Sequence, residues 1–305
     1  MVMERIWRVV ATAPRAALEQ QLSPTDLQSL LLGVTRTRAG RVTPARVVRR
    51  WREDRFVRPA SQDPRALVQV EARLWEMLPE SFVGVELSPV APLGTCSAVA
   101  TVDQNRVVST VRGSEVLADP TNALAVEAAW RRAEGARWDR VDVAACHRVL
   151  RAQAFDAPGL AAHFKLFALV SSARDAGSCT TEAQMLADHL RYWSRVLAGF
   201  VPTRRPRLVL TVFDSPALAD RFTDVIAPAV AAEPSGVDLV ADPGRTQGAG
   251  YYTRAAIGLR AQQDDEDIDL GDGGTTSWTA SLLGDAKERC VVSCVATERL
   301  AMLSC

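Results

Sequence analysis

The sequence predicts an α+β protein in which an antiparallel sheet is flanked by helices and preceded by a small helical domain. Helical periodicity is limited to a few segments, and the many strand-like segments do not alternate with helices as they would in a parallel sheet. The first sixty residues, by contrast, contain only helical patterns. We place the domain boundary at Ser61–Pro64, which divides the chain into residues 1–62 and 63–305.

The small domain is basic and helical. Ser23 and Thr43 each precede a proline and a run of apolar residues, which is typical of a capped helix start. Residues 1–60 contain twelve arginines against five acidic residues, although the whole chain has no net charge. This domain either contacts nucleic acid or docks on its own acidic body, and the sequence leaves both open. The acidic balance of the body argues against tRNA as a partner, because an extended tRNA footprint rests on phosphate neutralisation.

The larger domain begins with a helix that Asp63 caps, and its apolar stripe includes Leu67, Val70 and Leu74. Further helices are expected at Asp119–Trp130, around 186–197, at Ser277–Leu283 and from Thr297 onward. Strands are expected at Val83–Leu87, Arg106–Thr110, 138–153, 164–172, Arg207–Phe213, Tyr251–Arg260 and 290–296. The loop Asp156–Gly159 joins the third and fourth of these strands.

Composition excludes several classes of protein. The chain has 305 residues, of which 48% are hydrophobic and 24% charged, as in ordinary globular proteins. Its longest apolar run is too short for a membrane helix and its start does not resemble a secretory leader, so we expect a cytoplasmic protein with no membrane contact. The six cysteines form no CxxC pair. Cys290 and Cys294 fit one face of a buried strand, so no metal site is expected there.

Two separated arginines carry the main chemical signal. Arg151 and Gln153 end one predicted strand, and Phe164 begins the next. Glu298 and Arg299 open the terminal helix. Arginine supplies a planar, permanently charged fork for phosphate oxygens, and an aromatic ring can stack on a base. The pattern therefore predicts a nucleotide site.

These segments resemble motifs 2 and 3 of class II aminoacyl-tRNA synthetases, specifically the branch that includes histidyl-tRNA synthetase and the regulatory subunit of ATP phosphoribosyltransferase. Gln247–Thr253 resembles the histidyl stretch that lines the amino-acid pocket, and Asp119–Thr121 resembles an Arg-Pro-Glu-x-Thr element. Asp272–Gly274 falls where a glycine-rich turn precedes motif 3. The helix–strand–proline unit that ends at Ser88–Pro89 resembles motif 1, which forms the dimer interface in the family.

The resemblance implies ATP and Mg²⁺ as cofactors and assigns a role to each matching residue. Arg151 would hold the substrate carboxylate and α-phosphate, Phe164 would stack on adenine, and Arg299 would bind the far end of the triphosphate. His163 lies where the motif 2 loop offers a cation to the terminal phosphate, and Gln153 and Glu298 complete the nucleotide set.

Five residues are predicted to bind the acid substrate: Asp119, Thr121, Gln247, Tyr251 and Tyr252. An anion near a primary ammonium is the expected solution for amino-acid recognition. Asp119 is also a good N-cap because it precedes Pro120, so capping and substrate binding both remain open for it. The two tyrosines are expected to alternate on a strand.

The chain departs from the family at informative positions. Gln153 replaces the motif 2 glutamate, and Gln247 and Gly250 replace an arginine and an aspartate of the histidyl pocket. Arg245, two positions away, is a candidate substitute for that arginine. Ser293, Cys294 and Ala296 stand where motif 3 has glycines. The sequence ends after motif 3, so we expect a degenerate paralogue without an anticodon-binding domain.

We expect ATP-dependent activation of a small amino or carboxylic acid as an acyl-adenylate, with a carrier protein, partner enzyme or small amine rather than tRNA as acceptor. The protein is expected to be a homodimer. The alternative is a non-catalytic regulator or sensor with the same fold. The acidic run at 264–269 is expected to form a solvated hairpin tip, and no metal site is assigned, although Asp269 or Asp272 would be the choice if a metal were bound.

Overall fold

The computed structural model describes residues 13–135, 138–153, 161–264 and 266–304. The described helices are α1 (Ala13–Ala16, continued by a π-helical turn, Ala17–Gln21), α2 (Pro24–Ala39), α3 (Pro44–Glu53), α4 (Pro64–Glu76), α5 (Thr95–Ala100), α6 (Pro120–Glu134), α7 (Thr180–Phe200), α8 (Pro216–Arg221), α9 (Ala227–Ala231), α10 (Trp278–Leu283) and α11 (Thr297–Leu303). The described strands are β1 (Val83–Gly84), β2 (Val90–Pro92), β3 (Ser114–Val116), β4 (Val141–Leu150), β5 (His163–Arg174), β6 (Arg207–Val212), β7 (Asp238–Ala241), β8 (Ala255–Gln263), β9 (Glu266–Thr276) and β10 (Glu288–Ala296).

The predicted antiparallel sheet is present. Within the described residues, eight strands form one sheet in the order β1-β4-β5-β10-β9-β8-β6-β7, and β2 pairs with β3 in a separate ribbon. Pairing is antiparallel through the centre, and only the outermost pairs, β1 with β4 and β6 with β7, are parallel. The α+β prediction is therefore confirmed.

One face of the sheet is covered by the long helix α7. This helix buries Tyr192 and Trp193, whose rings pack at 4.6 Å from each other and against Phe167 of β5. The hydroxyl of Tyr192 donates to the Leu74 carbonyl at 2.9 Å and so ties α4 to the same core. Removing these large apolar surfaces from water is the main source of stability on this face.

The opposite face carries α6 and α10, and it is built from small residues near the centre of the sheet. A row of paired positions crosses four strands with Ala145, Ala168, Cys294 and Asp272, and it ends at Gly258 on a fifth. Side chains of residues paired across a sheet point to the same face. Because these side chains are small, they leave a depression over the sheet. Asp272 is the one charged residue in the row.

The glycines of β9 are required by close strand contact. A Cβ on Gly273 would lie 2.3 Å from the Val292 carbonyl oxygen, and a Cβ on Gly274 would lie 2.2 Å from that of Ala255. The expectation that Asp272–Gly274 forms a turn was wrong, because these residues lie inside β9.

Three strand predictions also differ from the structure. Arg106–Thr110 is not a strand: Arg106 ends a short 3₁₀ turn over Gln104–Arg106 that Asp103 caps, Ser109 forms only an isolated bridge with Glu115, and the ribbon strand starts at Ser114. Tyr251 and Tyr252 lie in a turn before β8 rather than on the strand. The strand expected at Val83–Leu87 is limited to two residues. The predicted loop Asp156–Gly159 lies outside the described residues.

The amino-terminal helices are capped as predicted, and they are exposed. The hydroxyls of Ser23 and Thr43 accept from backbone amides in the first turns of α2 and α3, and neither helix buries a residue. The segment after α3 contacts the larger domain, because Arg55 donates to the carbonyl oxygens of Ala152 and Gln153. The division of the chain at residue 62 stays a prediction.

Candidate functional site

Two adjoining cavities lie over the small-residue face of the sheet. The large cavity has a volume of about 400 Å³ and the small cavity about 250 Å³. Arg151, Asp272 and Cys294 line both, so they form the boundary between the two spaces. Two connected compartments can hold two ligands with their reactive groups adjacent.

Arg151 stands at this boundary and is fixed by three contacts. Its Nε donates to the Ala118 carbonyl oxygen at 2.9 Å, and its Nη2 donates to Asp119 Oδ2 at 3.2 Å. The guanidinium also lies over the ring of Phe164, 5.1 Å from its centroid. The sequence prediction placed Arg151 and Phe164 together, and the structure brings them into contact at the wall of the large cavity.

Three more arginines line the large cavity: Arg245, Arg260 and Arg299. Arg245 donates to the carbonyl oxygens of Gln247 at 3.0 Å and Ile257 at 3.2 Å, and Arg299 donates to that of Asp269. A carbonyl oxygen orients a guanidinium without cancelling its charge. Arg245 and Arg299 therefore keep their positive charge for an anionic ligand, whereas Arg260 pairs with Asp269 at 3.1 Å.

His163 and Glu298 line the large cavity, but both are engaged by the protein. His163 Nε2 donates to the Arg58 carbonyl oxygen at 2.6 Å and Nδ1 accepts from Arg148 at 3.0 Å, which describes a neutral ring. Glu298 accepts from the backbone amide of Lys165 at 2.8 and 3.0 Å and so pins α11 to β5. The two residues shape the cavity wall rather than offering free polar groups to it.

The small cavity is bounded by the start of α6. Asp119 Oδ1 accepts from the Thr121 amide at 2.9 Å and from its hydroxyl at 2.7 Å, which makes Asp119 the N-cap of α6. The same side chain lines the small cavity through its position beside Arg151. The two roles left open by the sequence are therefore geometrically compatible.

Tyr251 and Tyr252 also line the small cavity. Their rings meet edge to face at 5.0 Å, and Tyr251 packs in the same way on Trp278. Burial raises the pKa of both phenols above the ordinary value, so both are neutral hydroxyls at physiological pH. The ring of Tyr252 rests on Gly274, where a Cβ would lie 2.6 Å from it.

Asp272 is the charged group at the floor of both cavities. It lies deep among protein atoms, yet its side chain is accessible from the cavities. Burial and the charge of Asp119 raise the pKa of the Asp272 carboxyl, while a hydrogen bond with Tyr252 and the positive charge of Arg245 oppose the rise. The carboxylate is thus only partly neutralised by its surroundings.

Cys96 and Asn122 also line the small cavity. The buried carboxylate of Glu115 accepts from the amides of Gly94 at 2.8 Å and Cys96 at 2.7 Å, which fixes the start of α5. Burial raises the pKa of Cys96 to about 11, so the thiol is protonated and is not a nucleophile near neutral pH. Within the described part of the chain, Asn122 Oδ1 is buried and has no hydrogen-bond partner.

Every predicted site residue lines one of the two cavities, but two are exchanged between them. Gln153, predicted for the nucleotide, lines the small cavity, and Gln247, predicted for the acid, lines the large one. Sequence reasoning missed Arg260 and Asn122. Neither has a local motif, and only the pairing of distant strands and helices brings them to the site.

Among the described residues, ligands for a resident metal are not brought together. Across the described ranges, no three His, Cys, Asp or Glu side chains could hold a metal ion together. Asp269 is paired with Arg260 at 3.1 Å, and Asp267 in the same acidic run is paired with Arg207. Asp264 forms the turn between β8 and β9, and Asp265 lies outside the described residues. None of the helices in the described ranges is long and apolar enough to cross a membrane.

Comparison with solved structures identifies the fold. No family model matches the chain, and no curated protein matches it in sequence. Among solved structures, an ATP phosphoribosyltransferase regulatory subunit/histidyl-tRNA synthetase from Bacillus halodurans is similar, with a TM-score of 0.60 and 10% identity over 82% of this chain and 83% of that one. Histidyl-tRNA synthetase from S. aureus gives a TM-score of 0.54 and 14% identity over 78% of this chain.

A third similar structure, pyrrolysyl-tRNA synthetase from Desulfitobacterium hafniense, gives a TM-score of 0.50 and 16% identity over 98% of this chain and 88% of that one. The present chain spans 64% of the S. aureus enzyme. Identities at this level establish the fold alone. The resemblance drawn from the motifs is confirmed at that level: the chain has the fold of the class II aminoacyl-tRNA synthetase core, as found in the histidyl-tRNA synthetase and ATP phosphoribosyltransferase regulatory subunit branch.

Proposed function

We propose that the protein activates a small amino acid or related carboxylic acid with ATP, forming an acyl-adenylate. The observation that carries the proposal is the pair of adjoining cavities with Arg151 between them. One cavity is lined by four arginines and an aromatic ring, which suits a nucleotide polyphosphate. The other contains Asp119, Thr121 and the two tyrosines, which suit an amino acid.

The proposed reaction follows from this placement. ATP would lie in the large cavity with adenine on Phe164 and the β- and γ-phosphates toward Arg299. The acid would lie in the small cavity with its ammonium on Asp119, which brings its carboxylate to Arg151. A carboxylate oxygen then attacks the α-phosphorus, the bond to the bridging oxygen breaks, and pyrophosphate leaves. Arg151 would hold both reacting groups and stabilise the charge that develops on the α-phosphate.

Arg245 is proposed to replace the pocket arginine that the histidyl pattern has at Gln247. Its Nη1 lies over Gly258, where a Cβ would stand 3.2 Å away, so the missing side chain of Gly258 makes room for it. The guanidinium consequently reaches the sheet next to Asp272 and close to the cavity boundary. Arg245 would bind the α-phosphate from the side opposite Arg151.

Magnesium is proposed to enter as part of MgATP. The described residues offer no set of three ligands for a resident ion, and Mg²⁺ commonly binds through substrate phosphates with one or two carboxylates. The acceptor of the acyl group is proposed to be a carrier protein, a partner enzyme or a small amine.

A homodimer is proposed through α4 and β1. Val68 and Trp75 lie two turns apart on α4 and are exposed, and Val83 is exposed on β1 at the edge of the sheet. An unpaired edge strand flanked by apolar side chains is a ready interface for a second copy. Sedimentation at micromolar concentration should give twice the mass of one chain, and a monomer would contradict this proposal.

A second candidate function is regulation without catalysis. It is favoured by the engagement of His163 and Glu298 within the protein, which leaves fewer polar groups for the triphosphate. A regulator would bind a nucleotide or an amino acid in these cavities and transmit binding to a partner. It would not exchange pyrophosphate into ATP.

ATP–pyrophosphate exchange with a panel of amino and aryl acids separates the two. The expected result is exchange with one acid, reduced about 100-fold or more in Arg151→Ala and Arg299→Ala. Arg191→Ala is the matched control, because Arg191 lies on α7 behind the sheet and pairs with Glu233. Nucleotide binding without exchange would favour the regulator. ATP affinity that is unaltered in both cavity variants would refute the nucleotide assignment.

A further inference from the structure

The small cavity is lined by two carboxylates, Asp119 and Asp272, and by two guanidiniums, Arg106 and Arg151. Arg151 is shared with the large cavity and already pairs with Asp119 at 3.2 Å, whereas no Lys, Arg or His of the described residues stands within 4.0 Å of the Asp272 carboxylate. The α-ammonium of a bound amino acid would satisfy Asp119. Asp272 would then be covered by the ligand without an ion-pair partner from the described residues.

A carboxylate that a ligand covers without an ion-pair partner is costly, because a buried charge needs a partner. Burial and the charge of Asp119 raise the pKa of the Asp272 carboxyl, although the Tyr252 hydrogen bond and the charges of Arg245 and Arg151 oppose the rise. Asp272 cannot turn away from the site, because it belongs to the central strand β9 and pairs in register with Cys294 on one side and Gly258 on the other. Both neighbours are small, so space for a ligand remains above the carboxylate.

A second group that lines the small cavity also lacks a partner. Asn122 has 1% of its surface exposed, and its Oδ1 has no hydrogen-bond donor among the residues that the structure describes. An amide oxygen and a carboxylate are both acceptors. Together they fit a ligand group with several N–H bonds, and they do not fit an apolar or an acidic side chain.

We propose that the acid substrate is a diamino acid whose side-chain ammonium binds Asp272, with Asn122 as a further acceptor near that group. This inference rests on the proposed adenylation function, since it assigns the side-chain end of the same substrate. In this assignment Asp119 binds the α-ammonium, Arg151 binds the carboxylate, and Asp272 binds the side-chain ammonium. The neutral hydroxyls of Tyr251 and Tyr252 line the remaining wall and limit the length of the side chain.

Calorimetric titration tests this assignment on the full chain with α,β-methylene-ATP present. Three matched pairs differ only in the terminal amine: 2,4-diaminobutyrate and 2-aminobutyrate, ornithine and norvaline, and lysine and norleucine. In one pair or more, the diamino member should bind about 10- to 100-fold more tightly, as expected for a charge-assisted hydrogen bond. Asp272→Asn should bring that ratio close to one.

The control variant is Asp267→Asn, which lies on the same strand outside both cavities and pairs with Arg207. It should keep the wild-type preference. Equal or tighter binding of the neutral members, or binding of neither member while the nucleotide still binds, would overturn the diamino assignment and leave the adenylation proposal standing. Loss of nucleotide binding in Asp272→Asn would assign this residue to the nucleotide instead. No nucleotide binding by the wild-type chain would refute the proposed function itself.

Discussion

Asp119 performs two tasks that two substitutions can separate. Its Oδ1 caps α6 by accepting from the Thr121 amide at 2.9 Å, and its Oδ2 pairs with Arg151 at 3.2 Å beside the small cavity. Asparagine keeps an oxygen for the cap and loses the charge. Alanine loses both. Capping therefore depends on the oxygen, whereas binding of an ammonium depends on the charge.

The expected magnitudes differ for the two tasks. Asparagine and aspartate are comparable N-caps, and the half-exposed ion pair with Arg151 contributes about 0–1 kcal/mol, so Asp119→Asn should lower the free energy of unfolding by about 1 kcal/mol at most. Asp119→Ala should lower it by about 1–2 kcal/mol. The lost charge-assisted hydrogen bond to the substrate corresponds to about 1.5–3 kcal/mol, or about a 10- to 100-fold rise in the KM of the acid, in both variants.

Urea denaturation measures the first quantity, and pyrophosphate exchange at saturating MgATP measures the second. The reasoning requires that Asp119→Asn be nearly as stable as the wild type while its KM for the acid rises to the same extent as in Asp119→Ala. If the KM of Asp119→Asn stays within about twofold of the wild type, less than 0.5 kcal/mol is lost and Asp119 is only a helix cap.

Three further predictions concern stability. Gly274→Ala should cost about 1–3 kcal/mol by urea denaturation, because the new Cβ would stand 2.2 Å from the Ala255 carbonyl oxygen; full stability would contradict the strand contact. Glu288→Gln should cost about 3–5 kcal/mol in the same assay, because it removes the charge that pairs with the buried Arg132 at 2.7 Å, whereas no loss would mean that the pair is solvated. Burial lowers the pKa of His189 to about 3 from about 6.5, so the unfolded chain binds the extra proton first and stability falls as the pH drops below about 6.5. Between pH 7 and pH 5 the wild type should lose about 2 kcal/mol more than His189→Gln, and equal losses would show that this imidazole is not held neutral.

Local signals explain why much of the helical structure could be predicted. The caps at Ser23, Thr43, Asp63 and Asp119 each combine an acceptor side chain with a following proline, and each begins a helix in the structure. These features depend on residues within one turn of each other, so the sequence displays them directly.

The strand errors have a different cause. Glycine in Asp272–Gly274 indicated a turn, yet the glycines permit β10 and β8 to approach β9, with Cβ clashes of 2.0 to 2.3 Å at Gly271, Gly273 and Gly274. The sequence shows that these positions have no side chain, but it does not show that neighbouring strands occupy the space. The elements β2, β3 and β7 were not predicted, because each has only three or four residues and no periodic pattern.

The site was predictable in the parts that resemble a motif. Arg151, Phe164 and Arg299 come together as expected, because each flanks an element whose order along the chain the family pattern describes. Arg260 and Asn122 could not be predicted in the same way. Their place in the site depends on the register of β8 and on the rotation of α6, which no short segment specifies.

The arginines of this chain differ in the groups that accept their hydrogen bonds. Structural arginines are neutralised: Arg132 pairs with Glu288 at 2.7 Å, and Arg289 pairs with Asp175 at 2.8 Å. In the large cavity, Arg245 and Arg299 are oriented by backbone carbonyl oxygens, and no carboxylate of the described residues stands within 4.0 Å of either guanidinium. Orientation without neutralisation costs stability, because like charges are kept near one another. Such an arrangement is favourable when an anion binds, so the two guanidiniums support a polyphosphate ligand under both the catalytic and the regulatory proposal.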